Sequence, residues 1–578
     1  MKGFSKAIIN SMREERKLYI KRCQNQTQEN INRHKEYKKE LDKIKRNARF
    51  NYIKEKVNKN KGNSRALWAI IHENINKKNS KEELSNKYNI DGHTVEDEKD
   101  IANNFNIFFN TIGTKLAEKI DNKKDFKAFL INPIPKQFEF RHVSKYDVEK
   151  IGEKMKSKLS QGPDGISSKV LKHIIPAISL PLAHLINRSF ETGTVPARIK
   201  ESNIIPIYKS EDPMEINNHR PISLINTISK IYEKLVHKQL YKYLEQQSIL
   251  NKRQYGFRNN SSCEHAMLDL LNSLEECNAN AELANLIFID LSKAFDTISH
   301  DILISKLEHY GLQDLAINWI QNYLSNRKHR TKYKNTLSDN LELKIGVPQG
   351  SILGPLLFLI YINDISDNIK GTFLYADDTT LMTKHRDEAT LVNEANNKLE
   401  IAKDWFAANK LTLNAKKTRT MTISPSGKQF NQDIKLDNTV VQRISKNSEE
   451  KYFKFLGFKL EEDLKWETHS KDVLNKLNTA NYIMAATKNK LPTEIKKLIY
   501  FGMAQAHLEY GIPIWFNKKF EKNAIKIQKK IIRNITNKKY NAHTSPLLYE
   551  LNLLKPQELL EVASCRAIKK AMINAAPV

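Results

Sequence analysis

Cysteine is scarce in this chain. Cys23, Cys263, Cys277 and Cys565 lie far apart, with neither Cys-x-x-Cys nor mixed cysteine and histidine spacing. That scatter excludes a disulfide-stapled secreted scaffold and gives no structural zinc motif. No apolar run reaches the ~18 residues of a membrane-crossing helix. The longest, Pro355 to Ile362, has the length of a buried helix segment. The basic N-terminus "MKGFSKAIINSMREERKLYIKR" has no apolar core of signal-peptide length and no small-residue cleavage site. The expectation is an intracellular protein with no membrane partner. Negative charge is also in deficit, with 66 Asp and Glu against 95 Lys and Arg and a formal net charge of +29. A surface field of that sign favours polyanions, nucleic acid above all.

What is present is long enough for several domains: 578 residues exceed a single hydrophobic core. Residues 1–65 hold 20 Lys or Arg against 7 Asp or Glu and almost no Gly or Pro, which predicts long, polar, basic helices. Residues 75–100 are polar and unpatterned and read as a linker. From Ser144 the texture changes. "SKYDVEKIGEKMKSKL" pairs Ser144 with Asp147 in a capping box and sets Val148, Ile151, Met155 and Leu159 on one helical face. Gln161 to Gly165 make a tight turn, and a second helix is predicted over 167–190. Strands, helices and a basic hairpin then interleave to about 460, which reads as α+β with a mostly antiparallel sheet. Beyond Trp466 the pattern is helical with basic faces.

Two acidic centres stand out. "LIFID", residues 286–290, is an apolar run ending in Asp290, as a buried strand delivers an acid to its open end. "LYADDTTL", residues 374–381, sets Asp377 and Asp378 side by side between two strand-like segments. Like charges at a tight turn repel and raise each other's pKa, a cost that a divalent cation removes. A strand-end Asp facing a hairpin Asp pair suits two Mg²⁺ ions about 3.5–4 Å apart, the arrangement of nucleotidyl transfer.

Beyond these acids, "FIDLSKAFDTISHDILISKL", "IGVPQGSILGPLLFLIYINDI", "LYADDTTL", "LTLNAKKTRTMTI" and "FKFLGFKL" follow one another in the order and spacing of reverse transcriptase motifs. Upstream, "GPDGISSKVLK", "IIPIYKS" and "HRPISLINTISKIYEKL" resemble the added motifs and fingers of the non-LTR retrotransposon group, the jockey, I and CR1-like elements. The resemblance implies a right-hand polymerase: fingers and palm with an antiparallel sheet over 141–460, a helical thumb over 461–578, and a basic helical extension and linker over 1–140. It implies an RNA-directed DNA polymerase with an RNA template, a DNA primer and dNTPs as partners, and two Mg²⁺ ions, with Mn²⁺ as a substitute. Residue by residue, Asp290 and Asp377 match the bridging carboxylates and Asp378 the third acid. Phe295 matches the steric gate against a 2′-hydroxyl, and Leu291, Gln349 and Gly350 match positions around the incoming nucleotide. Lys209 and Arg220 resemble the cations that grip the triphosphate. Lys417, with Lys416 beside it, resembles the lysine that protonates pyrophosphate, and Leu456 and Gly457 resemble the primer grip.

The resemblance also implies an endonuclease upstream of the polymerase, for which the first 140 residues are too short and too basic. A truncated element, a gene model begun at an internal methionine and a domesticated polymerase all stay open, as does an inactive nucleic-acid-binding relic. A nuclear site of action with a cytoplasmic phase is expected. Phe295 argues against an RNA-templated RNA polymerase.

Overall fold

The computed structural model describes residues 3–575 apart from 61, 76–83, 91, 121–123, 425–429, 431 and 438. The residues read as a linker therefore fall partly outside the described ones. The chain packs into two compact units, one of Met1–Glu82 with Gly457–Val578 and one of Glu83–Leu456. Residues 83–140 lie in the larger unit, so the 140-residue N-terminal stretch is divided between the two.

The smaller unit is almost wholly helical. Helix α1 (Lys6–Gln24) starts where the Ser5 side chain accepts from the Ile8 N–H, and α2 (Gln28–Lys59) where Thr27 accepts from Asn30. Buried His34 of α2 reaches Glu15 at 2.9 Å and Arg22 at 3.3 Å, tying the two helices together. A third helix, α3 (Ser64–Ile75), follows. After Gly457 the helices Glu467–Thr487 and Lys518–Ile535 pack on one another. The second buries Phe520, Ala524, Ile527, Ile531, Ile532 and Ile535 while Lys522, Lys526, Lys529 and Lys530 stay exposed, the apolar stripe that its spacing predicts.

The larger unit opens with a two-stranded hairpin, β1 (Tyr88–Ile90) and β2 (His93–Val95), followed by α4 (Glu98–Glu118). The hairpin corrects the linker reading for these residues. Tyr88 is fully buried, with ring centroids 4.9 Å from Phe105, 5.5 Å from His219 and 5.9 Å from Tyr333, and Ile90 and Val95 pack on the same cluster, so a few apolar residues anchor an otherwise polar segment. Helix α5 (Lys145–Lys154) carries the capping box of Ser144 and Asp147 in full. It stops before Leu159, which is 76% exposed instead of lying on the buried face. The chain turns extended at Met155, and the Lys158 N–H goes to the Ser168 hydroxyl. Helix α6 (Ser168–Thr192) has the length and mean hydropathy, 1.3, of a membrane span. Its Leu171, Ile175, Leu182, Ile186 and Phe190 are buried in the protein core, which accounts for that hydropathy.

The following elements are β3 (Ser202–Tyr208), β4 (His219–Ile225), α7 (Thr227–Gln246), α8 (Cys263–Ala279), β5 (Leu283–Ile289), α9 (His300–His309), α10 (Asp314–Leu324), β6 (Arg327–Tyr333), β7 (Thr336–Leu337), β8 (Leu341–Leu343) and α11 (Leu353–Ile362). Then come β9 (Thr372–Tyr375), β10 (Asp378–His385), the helix Glu388–Ala408 and β11 (Arg419–Ile423). One sheet runs β4-β3-β6-β7, with β8 also on β6; the other runs from Gln442–Arg443 through β11-β5-β10 to β9. In the second sheet β5 is central and pairs antiparallel with both neighbours, which explains its largely apolar sequence, the buried Asn285 donating to the hydroxyls of Thr420 and Thr422 on β11. Helix α11 is buried along almost its whole length. The fold is thus mixed α and β, with two five-stranded sheets flanked by helices and smaller two-stranded sheets beside them.

Candidate active site

Asp290 follows the last residue of the central strand β5. Thr379 pairs with Ile289, and carrying that register one residue further sets Asp378 across from Asp290. Asp377 occupies the β9–β10 turn beside Ala376, whose φ of 56° is the left-handed conformation. A segment missed by the sequence reading holds this turn. Tyr255 donates its N–H to the Leu374 carbonyl and Leu374 donates to Arg253, so residues 253–256 extend the edge of β9. The buried Gln254 Oε1 accepts from the N–H groups of Ala376 (3.1 Å) and Gly256 (2.9 Å). A Cβ on Gly256 would come within 2.3 Å of the Ala376 nitrogen, so only glycine lets the segment approach. Its sequence signal was the "QYGF" string at 254–257, a turn glycine beside an amide side chain.

The three acids act on one another electrostatically. Burial lifts Asp377 above its ordinary value and the Asp290 charge adds to it, while Arg220 and Lys209 oppose the shift. Burial, then the charges of Asp377 and Asp290, push Asp378 up to about 6. Among the described residues no three histidine, cysteine or acidic side chains gather tightly enough to form a ready cage. The acids are an open set, which leaves positions for outside oxygens.

Cations converge from three directions. Lys209 follows β3, and Arg220 of β4 pairs in register with Ile207. Lys293, overlooked in the sequence, has a φ of 51° and donates from Nζ to the carbonyls of Asn217 (3.3 Å) and His219 (3.5 Å). Burial depresses its pKa, and the charges of Lys209, Arg220 and Lys417 depress it further, so these four cations share one field. Lys417 Nζ stands 3.9 Å from the Asp290 carboxylate. Asn414 brings Lys417 there: its N–H donates to the Asp290 carbonyl (2.9 Å) and its Nδ2 to the Asp290 carboxylate (3.3 Å).

Phe295 lies on the loop after β5. Its ring stacks on Phe358 at 4.8 Å and meets Phe257 edge-on at 6.2 Å. The turn bearing Gln349 and Gly350 packs on β4: Ser223 donates to the Gln349 carbonyl at 2.7 Å, and a Cβ on Gly350 would lie 2.8 Å from the Ser223 oxygen. Leu291 is buried, and a backbone bridge links it to Leu413. The structure thus brings together Asp290, Asp377, Asp378, Lys209, Arg220 and Lys417, and adds Lys293 and Gln254. Leu456 and Gly457, with φ of 48° and 89°, form a turn at the division between the units.

Residues 207–460 match the family described as reverse transcriptase (RNA-dependent DNA polymerase). The probable RNA-directed DNA polymerase from transposon BS of Drosophila melanogaster is 28% identical over 445 residues, 71% of this chain and 47% of the relative. The RNA-directed DNA polymerase from mobile element jockey of the same species is 24% identical over 454 residues, 76% of this chain and 49% of the relative. A retrovirus-related Pol polyprotein from the type-1 retrotransposable element R2 of Popillia japonica is 24% identical over 281 residues, 46% of this chain and 37% of that protein. The chain spans about half the length of the first two.

Proposed function

From a chain whose polymerase region is that of the reverse transcriptases of non-LTR retrotransposons, we propose RNA-directed DNA polymerisation: a primer 3′-hydroxyl attacks the α-phosphate of a dNTP paired to an RNA template. The observation that carries this reading is the open set of Asp290, Asp377 and Asp378 beside the shared field of Lys209, Arg220, Lys293 and Lys417. The pKa values of Asp377 and Asp378, raised first by burial and then by neighbouring acids, fit two divalent ions, Mg²⁺ or Mn²⁺, which when bound would lower the pKa of the attacking hydroxyl and neutralise the leaving pyrophosphate.

The chain's own groups do the remaining work. Lys209, Arg220 and Lys293 hold the triphosphate through charge in a partly dry site. Lys417, oriented through Asn414, gives a proton to the departing pyrophosphate. Phe295, held by Phe358, fills the space that a 2′-hydroxyl would need. Gln349 and Leu291 border the nucleotide, and Leu456 and Gly457 grip the primer. The larger unit supplies fingers and palm, and the helices after Gly457 a thumb, with α1 and α2 as a basic extension. The protein works inside the cell, in the nucleus with a cytoplasmic phase.

The test is primer extension on an RNA template with Mg²⁺ and dNTPs. Wild type extends, and Asp377→Asn does not while still binding primer–template. Phe295→Ala extends with ribonucleotides as well. If wild type and Asp377→Asn both bind and neither extends, the chain is an idle nucleic-acid-binding relic and the polymerase reading fails.

A further inference from the structure

Helix α4 has no part in the mechanism above, although it lies in the same unit as the acids. Its Ile101, Ala102, Phe105 and Phe109 are buried in one cluster with Ile204 of β3 and Tyr333 of β6. The buried Asn106 locks the helix in register: Oδ1 accepts from the Thr331 hydroxyl at 3.1 Å and Nδ2 donates to the Asp339 carbonyl at 2.9 Å. Further along, α4 lies so close to the loop after β5 that a Cβ on Gly113 would come within 2.0 Å of the Asp296 carbonyl oxygen, an approach that only glycine permits.

This docking brings the half-buried Phe108 against Lys293. The Lys293 Nζ lies over the Phe108 ring, 5.5 Å from its centre, within the ~6 Å reach of a cation–π contact. The other holds on this ammonium, the carbonyls of Asn217 and His219, are braced by the same N-terminal elements. The His219 ring packs on Tyr88 at 5.5 Å and on Phe105 at 5.2 Å. The Asn89 N–H donates to the Met214 carbonyl at 3.0 Å, so the β1–β2 hairpin ties down the loop between β3 and β4 that carries Asn217. All three holds are neutral. A carboxylate in their place would cancel the charge, whereas two carbonyls and a ring face fix an ammonium and leave its charge whole for an anion. Burial and the charges of Lys209, Arg220 and Lys417 work against that ammonium, with Asp296 acting the other way, so a contact that favours the cation counts for more here than on an exposed surface.

We propose that Phe108 is a positioning residue: its ring face holds the Lys293 ammonium in place for the triphosphate of the incoming nucleotide, which makes α4 a working part of the nucleotide site. The inference rests on the polymerase reading and adds to it a group from outside the matched residues 207–460.

The experiment measures single-dNTP incorporation by wild type, Phe108→Leu, Lys293→Met, the double variant, and chains carrying progressively fluorinated phenylalanines at position 108. Leucine keeps apolar bulk and removes the ring face. Fluorination keeps the ring and drains its face of negative charge, so it reads the contact even if Phe108→Leu fails to fold. Phe108→Leu should raise KM for all four dNTPs alike, by about 2–30-fold, with kcat changed far less. KM should climb stepwise with the number of fluorines, and Phe108→Leu should add nothing to Lys293→Met. A KM indifferent to fluorination, or effects at Phe108 and Lys293 that multiply in the double variant, overturns the proposal. Binding of Mg²⁺ tripolyphosphate to the same chains separates this inference from the polymerase reading. A wild-type chain that binds primer–template and extends no dNTP sinks that reading. Weaker tripolyphosphate binding across the fluorinated series would then still uphold the Phe108 contact, and equal binding would remove it as well.

Discussion

Two clusters of charge in the larger unit are built in opposite ways. Lys306 and Asp364 are both almost wholly buried, and every strong interaction is made internally. Lys306 Nζ donates to Asp364 and to the Tyr361 carbonyl and lies over the rings of Tyr361 and Trp405, while the Trp405 indole N–H takes the second carboxylate oxygen at 2.9 Å. At Asp290, Asp377 and Asp378 the charges of neighbouring acids instead add to burial in lifting Asp377 and Asp378, Lys209 and Arg220 offset the shift of Asp377 only in part, and nearby Lys293 is held by backbone carbonyls. A saturated pair serves the fold, because losing either partner leaves a buried charge alone. An unsaturated set costs stability and is complementary to something the chain does not contain.

The contrast can be broken from either side. The largest effect is expected at the open set: Asp377→Asn should lower primer extension by at least ~10³-fold, the scale on which essential active-site groups act, with unfolding by denaturant little changed. The closed pair should behave in reverse. Lys306→Met should cost about 3–5 kcal/mol in denaturant unfolding, while the molecules that stay folded keep their extension rate per site. A stability loss at Asp377 as large as that at Lys306 would erase the distinction.

A smaller, pH-dependent effect sharpens the comparison. Asp378 keeps its proton up to about pH 6 when folded but only up to its ordinary value of 3.8 when unfolded. Between those values the folded chain binds more protons, so stability falls as pH rises through the window. Without added metal, Asp378→Asn should melt above wild type at pH 7.5, with the difference closing below about pH 4. Thermal melts across that range read the sign directly. The smallest effect is expected on the exposed face of Lys518–Ile535, where replacing Lys526 and Lys530 by Gln should leave melting unchanged and weaken primer–template binding in a salt-dependent way.

The contrast between the two clusters was only half legible in the sequence. Asp290, Asp377 and Asp378 announced themselves because each ends an apolar run at a strand terminus, a local pattern. Lys306 and Asp364 lie 58 positions apart on elements whose meeting no local pattern encodes. Lys293 and Gln254 were missed for the same reason: a lysine after "DLS" and a glutamine before "YG" resemble surface residues until β4 and the β9–β10 turn are brought against them. Tyr88 turned a polar stretch into a docked hairpin through burial against Phe105 and Tyr333, and Leu159 fell outside its helix because the backbone breaks at Met155.

The sequence by itself determined the polymerase motifs, the basic balance, the helical spacing after Trp466 and the acids at strand ends, because these depend on periods and spacings within a few residues. Tertiary structure alone decided that Lys417 rather than Lys416 faces Asp290, that Lys293 joins the cations, and that Phe108 of α4 meets Lys293. Those are matters of a few ångströms between segments far apart in the chain, fixed by how closely glycines such as Gly113, Gly256 and Gly350 let backbones approach.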